Sequence, residues 1–400
     1  VENSASGSAF LQIANDAVSG LAAPTVGLVS IGAVKNQRLP DQKQPELSAD
    51  KGLGSKLDFF NLTREELGAV LADEFGVPSY RAQQIFGWVY KQGITDFSLM
   101  LNLSATLRAK LAERFFFPHA VTRSRQISTD GTRKYLLELD DGDCVEAVMI
   151  KQPARMTLCV SSQVGCGMGC KFCRTATMGF QRHLSASEIV RQVRAVLADA
   201  INFGDTFQNI VFMGMGEPLH NLKGVVGALR ILTDEMAFNM GPRKITVSTS
   251  GLVPAIKKFG ESGVGVNLAV SLNATTDAVR DQIMPVNKAF PISKLLAALR
   301  EFPLKARKLI TIEYVMLDGI NTSEEDLRRL PGLLRGIPSK VNLIPYNDNA
   351  GLGFSSPSRD TIDRWHRVLN ERGFSATIRW SKGQDIDAAC GQLAHKAGSS

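Results

Sequence analysis

The spacing of hydrophobic and polar positions changes character near residue 120. From Leu62, apolar residues recur at helical intervals: Thr63-Arg-Glu-Glu66 has the form of a capping box before a periodic stretch, and Arg81 to Tyr90 continues the spacing. This predicts a small helical domain over residues 56–118, with Trp88 in its core. Segments 134–139 and 144–150 then flank the turn signal Asp140-Asp-Gly-Asp143 and predict a β-hairpin within a region spanning 119–156. Beyond it, short apolar runs at 157–161, 209–213, 244–248, 266–272, 309–317 and 340–345 alternate with amphipathic stretches such as 187–200, 252–259 and 295–301. Six β/α units predict an α/β fold, a partial (β/α)6 TIM-like barrel over residues 157–383, followed by a C-terminal segment, 384–400. In such barrels the chemistry sits at the C-terminal ends of the strands.

Residues 1–55 are rich in Ser, Ala, Gly, Gln and Lys, contain one aromatic, Phe10, and show no sustained period. They are expected to be disordered. The small-residue bias and the missing initiator Met would also fit an organelle transit segment, against which Glu2, Asp16, Asp41 and Glu46 count. With no apolar run long enough for a bilayer and no secretory signal pattern, the expected location is the cytoplasm, or a plastid or mitochondrial matrix if 1–55 is a transit segment. The balance of 46 Lys and Arg against 39 Asp and Glu gives a net charge of +7, which suits a polyanionic partner without requiring one.

Three of the six cysteines crowd into Cys166-Gly-Met-Gly-Cys170-Lys-Phe-Cys173, where the first barrel strand ends. In a reducing compartment such crowding points to metal or redox chemistry rather than disulfides. Three thiolates at this spacing can wrap one face of a cubane cluster, with glycines letting the backbone turn around the sulfurs. One iron is left open for a ligand. A structural zinc site would need a fourth protein ligand, and none lies nearby.

Later strand ends carry small polar groups. Met213-Gly-Met-Gly-Glu-Pro-Leu219 offers backbone access at Gly216 and a carboxylate at Glu217 for an ammonium group. Ser248, Ser271, Asn273 and Asn347 close later strands with short polar side chains, as contacts to a polar ligand at the barrel mouth would require. Of the remaining cysteines, Cys144 reads as a small hydrophobe. Cys390, among acidic, small and glycine residues, suits a reactive thiol, and the residues alone leave the role of Cys159 open.

The cysteine spacing, with an aromatic just before the last cysteine, resembles the radical SAM (S-adenosylmethionine) superfamily. With Cys159-Val-Ser-Ser-Gln-Val-Gly-Cys166, Thr175-Ala-Thr, Gly214-Met-Gly-Glu-Pro-Leu219, Ser248-Thr-Ser-Gly and Ala388-Ala-Cys-Gly-Gln-Leu393, the chain resembles the RlmN/Cfr family of radical SAM RNA methyltransferases from about Leu62 to Leu393. The resemblance implies a radical SAM partial barrel, one 4Fe-4S cluster held by Cys166, Cys170 and Cys173, and two SAM molecules consumed per methylation. It implies that Cys390 carries the methyl group, that Cys159 resolves a protein–RNA crosslink by forming a transient disulfide, and that Glu146 accepts the ring proton. Gly216, Glu217, Ser248, Ser271, Asn273 and Asn347 fall on SAM-contacting positions. Asn273 stands where bacterial members commonly have His, and segment 379–383 departs from a commoner basic run.

The implied substrates are 23S ribosomal RNA, in the peptidyl transferase centre, and tRNA anticodon loops. Arg123, Arg125, Arg133, Lys134, Lys151, Arg155, Lys171, Arg174 and Arg182 would suit such a partner. An electron donor such as flavodoxin or ferredoxin is implied, and the enzyme is expected to be monomeric, with no membrane association. The ending around Cys390 and the helical domain resemble the adenine-C2 type. The alternatives are a C8 methyltransferase of the Cfr type and, in a different class, a zinc-containing RNA-binding protein.

Overall fold

A computed structural model describes residues 56–347, 349 and 351–393. The expected disordered tail or transit segment, 1–55, and residues 394–400 of the C-terminal segment lie outside the described residues.

The N-terminal helices are α1 (Arg64–Phe75), α2 (Tyr80–Phe86) and α3 (Ala105–Arg114). The capping box at the start of α1 is formed: Glu66 N donates to Thr63 Oγ1 at 3.2 Å and Thr63 N to Glu66 Oε2 at 2.8 Å. Phe59, Phe60, Phe86, Phe97 and Phe115 pack among Leu67, Leu71 and Leu111 as the core of this domain. Trp88 sits at its margin, half-buried, with its indole N–H donated to Asn102. Val89 and Tyr90 take the interior positions.

Ten strands form one sheet in strict chain order: β1 (Val121–Ile127), β2 (Arg133–Glu138), β3 (Cys144–Gln152), β4 (Arg155–Val160), β5 (Asn209–Phe212), β6 (Ile245–Thr249), β7 (Asn267–Ser271), β8 (Ile310–Met316), β9 (Ser339–Pro345) and β10 (Ala376–Ile378). The pairs from β1 to β4 are antiparallel and those from β4 to β10 parallel. All six expected barrel strands are present. The hairpin continues the sheet directly, with Val148 opposite Cys159. Strand β10 was not evident in the sequence because three residues are too few to show a period. The sheet ends at β1 on one side and β10 on the other, so the barrel is open.

Crossovers are made by α4 (Ala186–Ile201), α5 (Leu222–Thr233), α6 (Val253–Glu261), α7 (Asp277–Ile283) with α8 (Ile292–Arg300), α9 (Glu324–Leu333) and α10 (Arg359–Glu371). Six β/α units result. In β8, Ile310, Ile312, Tyr314 and Met316 are buried, whereas Glu313 and Val315 line the cleft inside the barrel. Trp365 of α10 is 1% exposed, its ring 5.2 Å from that of Tyr314.

Trp365→Ala removes the largest side chain of this helix–sheet contact and should destabilise the protein by about 3–5 kcal/mol. A urea midpoint shifted downward at unchanged slope is expected; an unchanged midpoint would show that the contact is dispensable.

Candidate active site

The seven parallel strands point their C-terminal ends at one cleft. Where β4 ends, Ser161 joins three neighbours: its hydroxyl donates to the carbonyl of Glu146 at 2.6 Å and accepts from Met215 N at 2.8 Å, and its N–H donates to Gln192 at 2.9 Å. The chain then pairs Gln163–Gly165 with Phe180–His183 as an antiparallel ribbon that the periodicity did not reveal. The cysteine loop is held between the ribbon's two strands. Gly165, at φ +70°, is required there, since a Cβ would come within 1.9 Å of the Gly179 carbonyl.

Cys166 N donates to Gly179 O at 2.8 Å and Lys171 N to Ile283 O at 2.9 Å, so the loop is pinned to the ribbon and to α7. Burial pushes the Cys166 thiol up to about 12. It raises Cys170 and Cys173 too, with negative charge on neighbouring cysteines adding to the effect at both. Such a trio is protonated when free and suited to thiolate only against bound positive charge, as metal ligation supplies. Among the described residues no three His, Cys, Asp or Glu side chains converge on one ion. A cubane asks for a different arrangement, one thiolate at each of three iron corners, and the three cysteines line a common wall of the cleft.

Across the cleft, Gly216 at φ +99° turns the chain back against Gln163, whose Cβ lies 2.5 Å from where a Gly216 side chain would begin. This places Glu217 in the wall. Its carboxylate accepts from Ser250 N at 2.7 Å and Leu219 N at 3.0 Å; burial nonetheless raises its affinity for a proton, and a ligand ammonium group would offset that. Ser248 donates to Glu313 at 2.7 Å, and Ser271 and Asn347 also line the cleft. Asn273 does not. It adopts φ +56°, its Oδ1 accepts from Val315 N at 2.8 Å, and its carbonyl accepts from Asn321 at 2.7 Å, so it ties β7 to the end of β8 behind the wall.

Cys390 enters the same cleft from the far end of the chain. Arg174 N donates to Gly391 O at 2.8 Å, Thr175 Oγ1 to Leu393 O at 2.5 Å, and Asn347 Nδ2 to Cys390 O at 3.1 Å. The C-terminal segment is thus seated on the cysteine loop itself. Cys159, on β4, is buried beside it, and its thiol is pushed up to about 12, by burial first and then by negative charge on Cys390, with Arg379 acting in the opposite direction. The Arg379 guanidinium is held in its charged form chiefly by Cys390 and further by Glu313, at 4.0 Å. Both sulfurs are free thiols. Glu146 lies outside the lining, buried on β3, with Lys134 Nζ 3.3 Å from its carboxylate and Met215 Sδ 3.4 Å from its N–H. Cys144 sits at the hairpin turn.

Sequence reasoning passed over Glu313 and Arg280. Glu313 was detectable as an acid on the cleft-facing alternation of an apolar strand. Arg280 is fully buried, with burial lowering its guanidinium to about 10, and it donates to the carbonyls of Ser250, Ser271 and Leu272 at 2.7, 3.1 and 2.9 Å. It fastens together the turns that follow β6 and β7. The expected basic surface is altered as well: Arg123, Arg125, Arg133, Lys134, Arg174 and Arg182 all have carboxylate partners within the protein.

Residues 57–116 match the family described as ribosomal RNA large subunit methyltransferase N-terminal domain, and residues 160–330 match the radical SAM superfamily. A Geotalea uraniireducens protein named dual-specificity RNA methyltransferase RlmN is 51% identical over 338 residues, covering 84% of this chain and 96% of that protein. The Geobacter sulfurreducens protein of the same name is 50% identical, covering 86% and 94%. A crystal structure of a radical SAM methyltransferase from Sphaerobacter thermophilus superposes with a TM-score of 0.77 at 44% identity, covering 84% of this chain and 98% of that one. With its cysteine loop, glycine turn and C-terminal thiol gathered at one cleft, the chain belongs to the RlmN family of radical SAM RNA methyltransferases.

Proposed function

We propose that this enzyme methylates C2 of adenosine in 23S ribosomal RNA and in tRNA, using Cys390 as methyl carrier and Cys159 as resolving thiol. The observation that carries the reading is the seating of Cys390 on the loop of Cys166, Cys170 and Cys173, with Cys159 buried next to it. Family membership sets aside the zinc-protein alternative. A 4Fe-4S cluster on the three loop cysteines, with SAM bound against Gly216, Glu217, Ser248, Ser271 and Asn347, supplies the methyl group and the one-electron chemistry that an electron-poor ring carbon requires.

Each residue then has a definite task. Cys390 acts as the nucleophile that takes up the methyl group, and its sulfur stays bonded to that carbon while the carbon is joined to adenine. Glu146 receives the ring proton; it is buried beside Met215, which directly precedes Gly216. The Cys159 thiolate attacks the Cys390 sulfur, so that an S–S bond forms as the S–C bond breaks; the S–C electron pair stays with the carbon, which takes up a proton to become the methyl group of the departing RNA. The resulting disulfide needs an external thiol reductant before another turnover. Single-electron supply by flavodoxin or ferredoxin and a monomeric, cytoplasmic enzyme complete the proposal; among the described residues no helix is long and apolar enough to cross a membrane.

Incubation of reduced holoenzyme with SAM and unmodified RNA, followed by digestion and mass spectrometry, should yield 2-methyladenosine; 8-methyladenosine would replace the C2 reading by the C8 one. Cys159→Ala should accumulate a covalent protein–RNA adduct and Cys390→Ala should not. If neither variant accumulates an adduct, the carrier mechanism is wrong.

A second expectation concerns ionisation. With its thiol raised from 9.0 to about 12, native Cys159 holds about a thousand-fold less thiolate at about pH 8 than the denatured chain does. Iodoacetamide labelling of the Cys159 peptide should be slower by at least that factor. It should keep rising about tenfold per pH unit beyond pH 9, where labelling of the denatured chain levels off. A native rate that levels off near pH 9 would contradict the burial argument.

A further inference from the structure

Among the described residues Tyr80, Phe180, Phe203 and Trp380 are the exposed large aromatic side chains, and Trp380, at 43% exposure, stands two residues beyond the end of β10. That is the end of the parallel sheet at which the cleft opens. Its predecessor, Arg379, turns inward to line the cleft, while Trp380 turns outward to solvent. The backbone between them is not free to move. Arg379 N is held by Leu343 O at 2.8 Å and Gly383 N by Asp130 Oδ2 at 3.0 Å, so both ends of the short segment carrying the indole are fixed.

The indole is also prepared electrostatically. The guanidinium of Arg359, at the first position of α10, lies over the ring at 4.2 Å from its centroid. The guanidinium, itself paired with Asp363 at 2.9 Å, covers one face of a ring that is 43% exposed, and a planar ring can stack on such an indole. Lys382, two residues on, adds positive charge within the same segment. Much of the basic surface expected near the hairpin is already paired with internal carboxylates.

A target adenine must be drawn out of its stack before it can reach a barrel cleft, which strips its neighbour of a stacking partner. We propose that Trp380, backed by Arg359, is the platform on which a nucleobase adjacent to the target adenosine stacks. The inference rests on RNA being the substrate. It names Trp380 as an RNA-positioning residue placed one residue from the cleft wall. Trp suits the role because a large rigid plane loses little conformational freedom when a base settles on it.

The test uses reduced holoenzyme and an unmodified tRNA transcript with an adenosine in its anticodon loop. Trp380→Ala should weaken binding by about 5- to 100-fold at every salt concentration. The slope of log affinity against log salt should stay unchanged, because no phosphate contact is lost. Trp380→Phe should keep most of the affinity. Of the other tryptophans, Trp365 is buried and Trp88 lies in the N-terminal domain, so the quenching of tryptophan fluorescence by tRNA should be largely lost in Trp380→Phe. Cluster absorbance of each variant checks folding. Equal affinity of Trp380→Ala and wild type overturns the proposal, as does undiminished quenching in Trp380→Phe, while methylation by wild type still upholds the enzyme assignment. A wild-type enzyme that neither binds nor methylates the transcript or a ribosomal RNA fragment overturns both.

Discussion

The hydrogen bonds from Arg174 N to Gly391 O and from Thr175 Oγ1 to Leu393 O bring the two ends of the active site together. They join residues more than two hundred positions apart, and the donors lie directly after the last cluster cysteine. Without them Cys390 would be one thiol on a chain end; with them it faces the wall that holds the other reactive groups. The cost of ordering a chain terminus is offset by satisfying backbone groups that would otherwise be buried unpaired. Asn347 adds a third tie, so β9 and the cysteine loop both help hold the segment.

Electrostatics then orders the chemistry. Negative charge on Cys390 opposes ionisation of Cys159, and Arg379 favours it. Arg379 is itself held charged first of all by Cys390. Two thiolates side by side at one guanidinium are therefore disfavoured while Cys390 is unmodified. In the proposed reaction the Cys390 sulfur becomes a neutral thioether once it bears carbon, which removes that repulsion and leaves Arg379 beside the other sulfur. Burial, the larger cause of the raised Cys159 thiol, is not removed by that change.

How much of this was legible depended on distance along the chain. The cysteine loop, the glycine turn with Glu217 and the strand ends were readable because the chemistry there is set by neighbours within a few residues. The six barrel strands were readable because each is long enough to show its period. The ribbon of Gln163–Gly165 with Phe180–His183, and β10, were not, since these short strands carry no apolar run of their own and are defined by their partners. Asn273 shows the limit most clearly. It closes a strand as Ser271 does, but a left-handed backbone turns it into hydrogen bonds with the next strand, and side-chain type alone does not encode that turn. Arg280 was passed over for the opposite reason. An arginine in an amphipathic stretch reads as solvated, until carbonyls from two distant turns are found to surround it.

The open barrel is itself part of the argument. The sheet stops at β1 and β10, and the C-terminal segment links the two sides: Ser128 and Thr129 donate to Asp385 at 2.6 and 3.0 Å, and Gly383 donates to Asp130. That fixes the segment at 383–385, and the cysteine loop fixes it again at 391–393. Cys390 is therefore held on a tether of a few residues, with Gly383 and Gly391 both in left-handed conformations at its ends. Such a tether permits a shift from one partner sulfur to another and rules out a long excursion. A thiol tethered in this way stays at the cleft, so in the proposed reaction the adenine has to be brought to it.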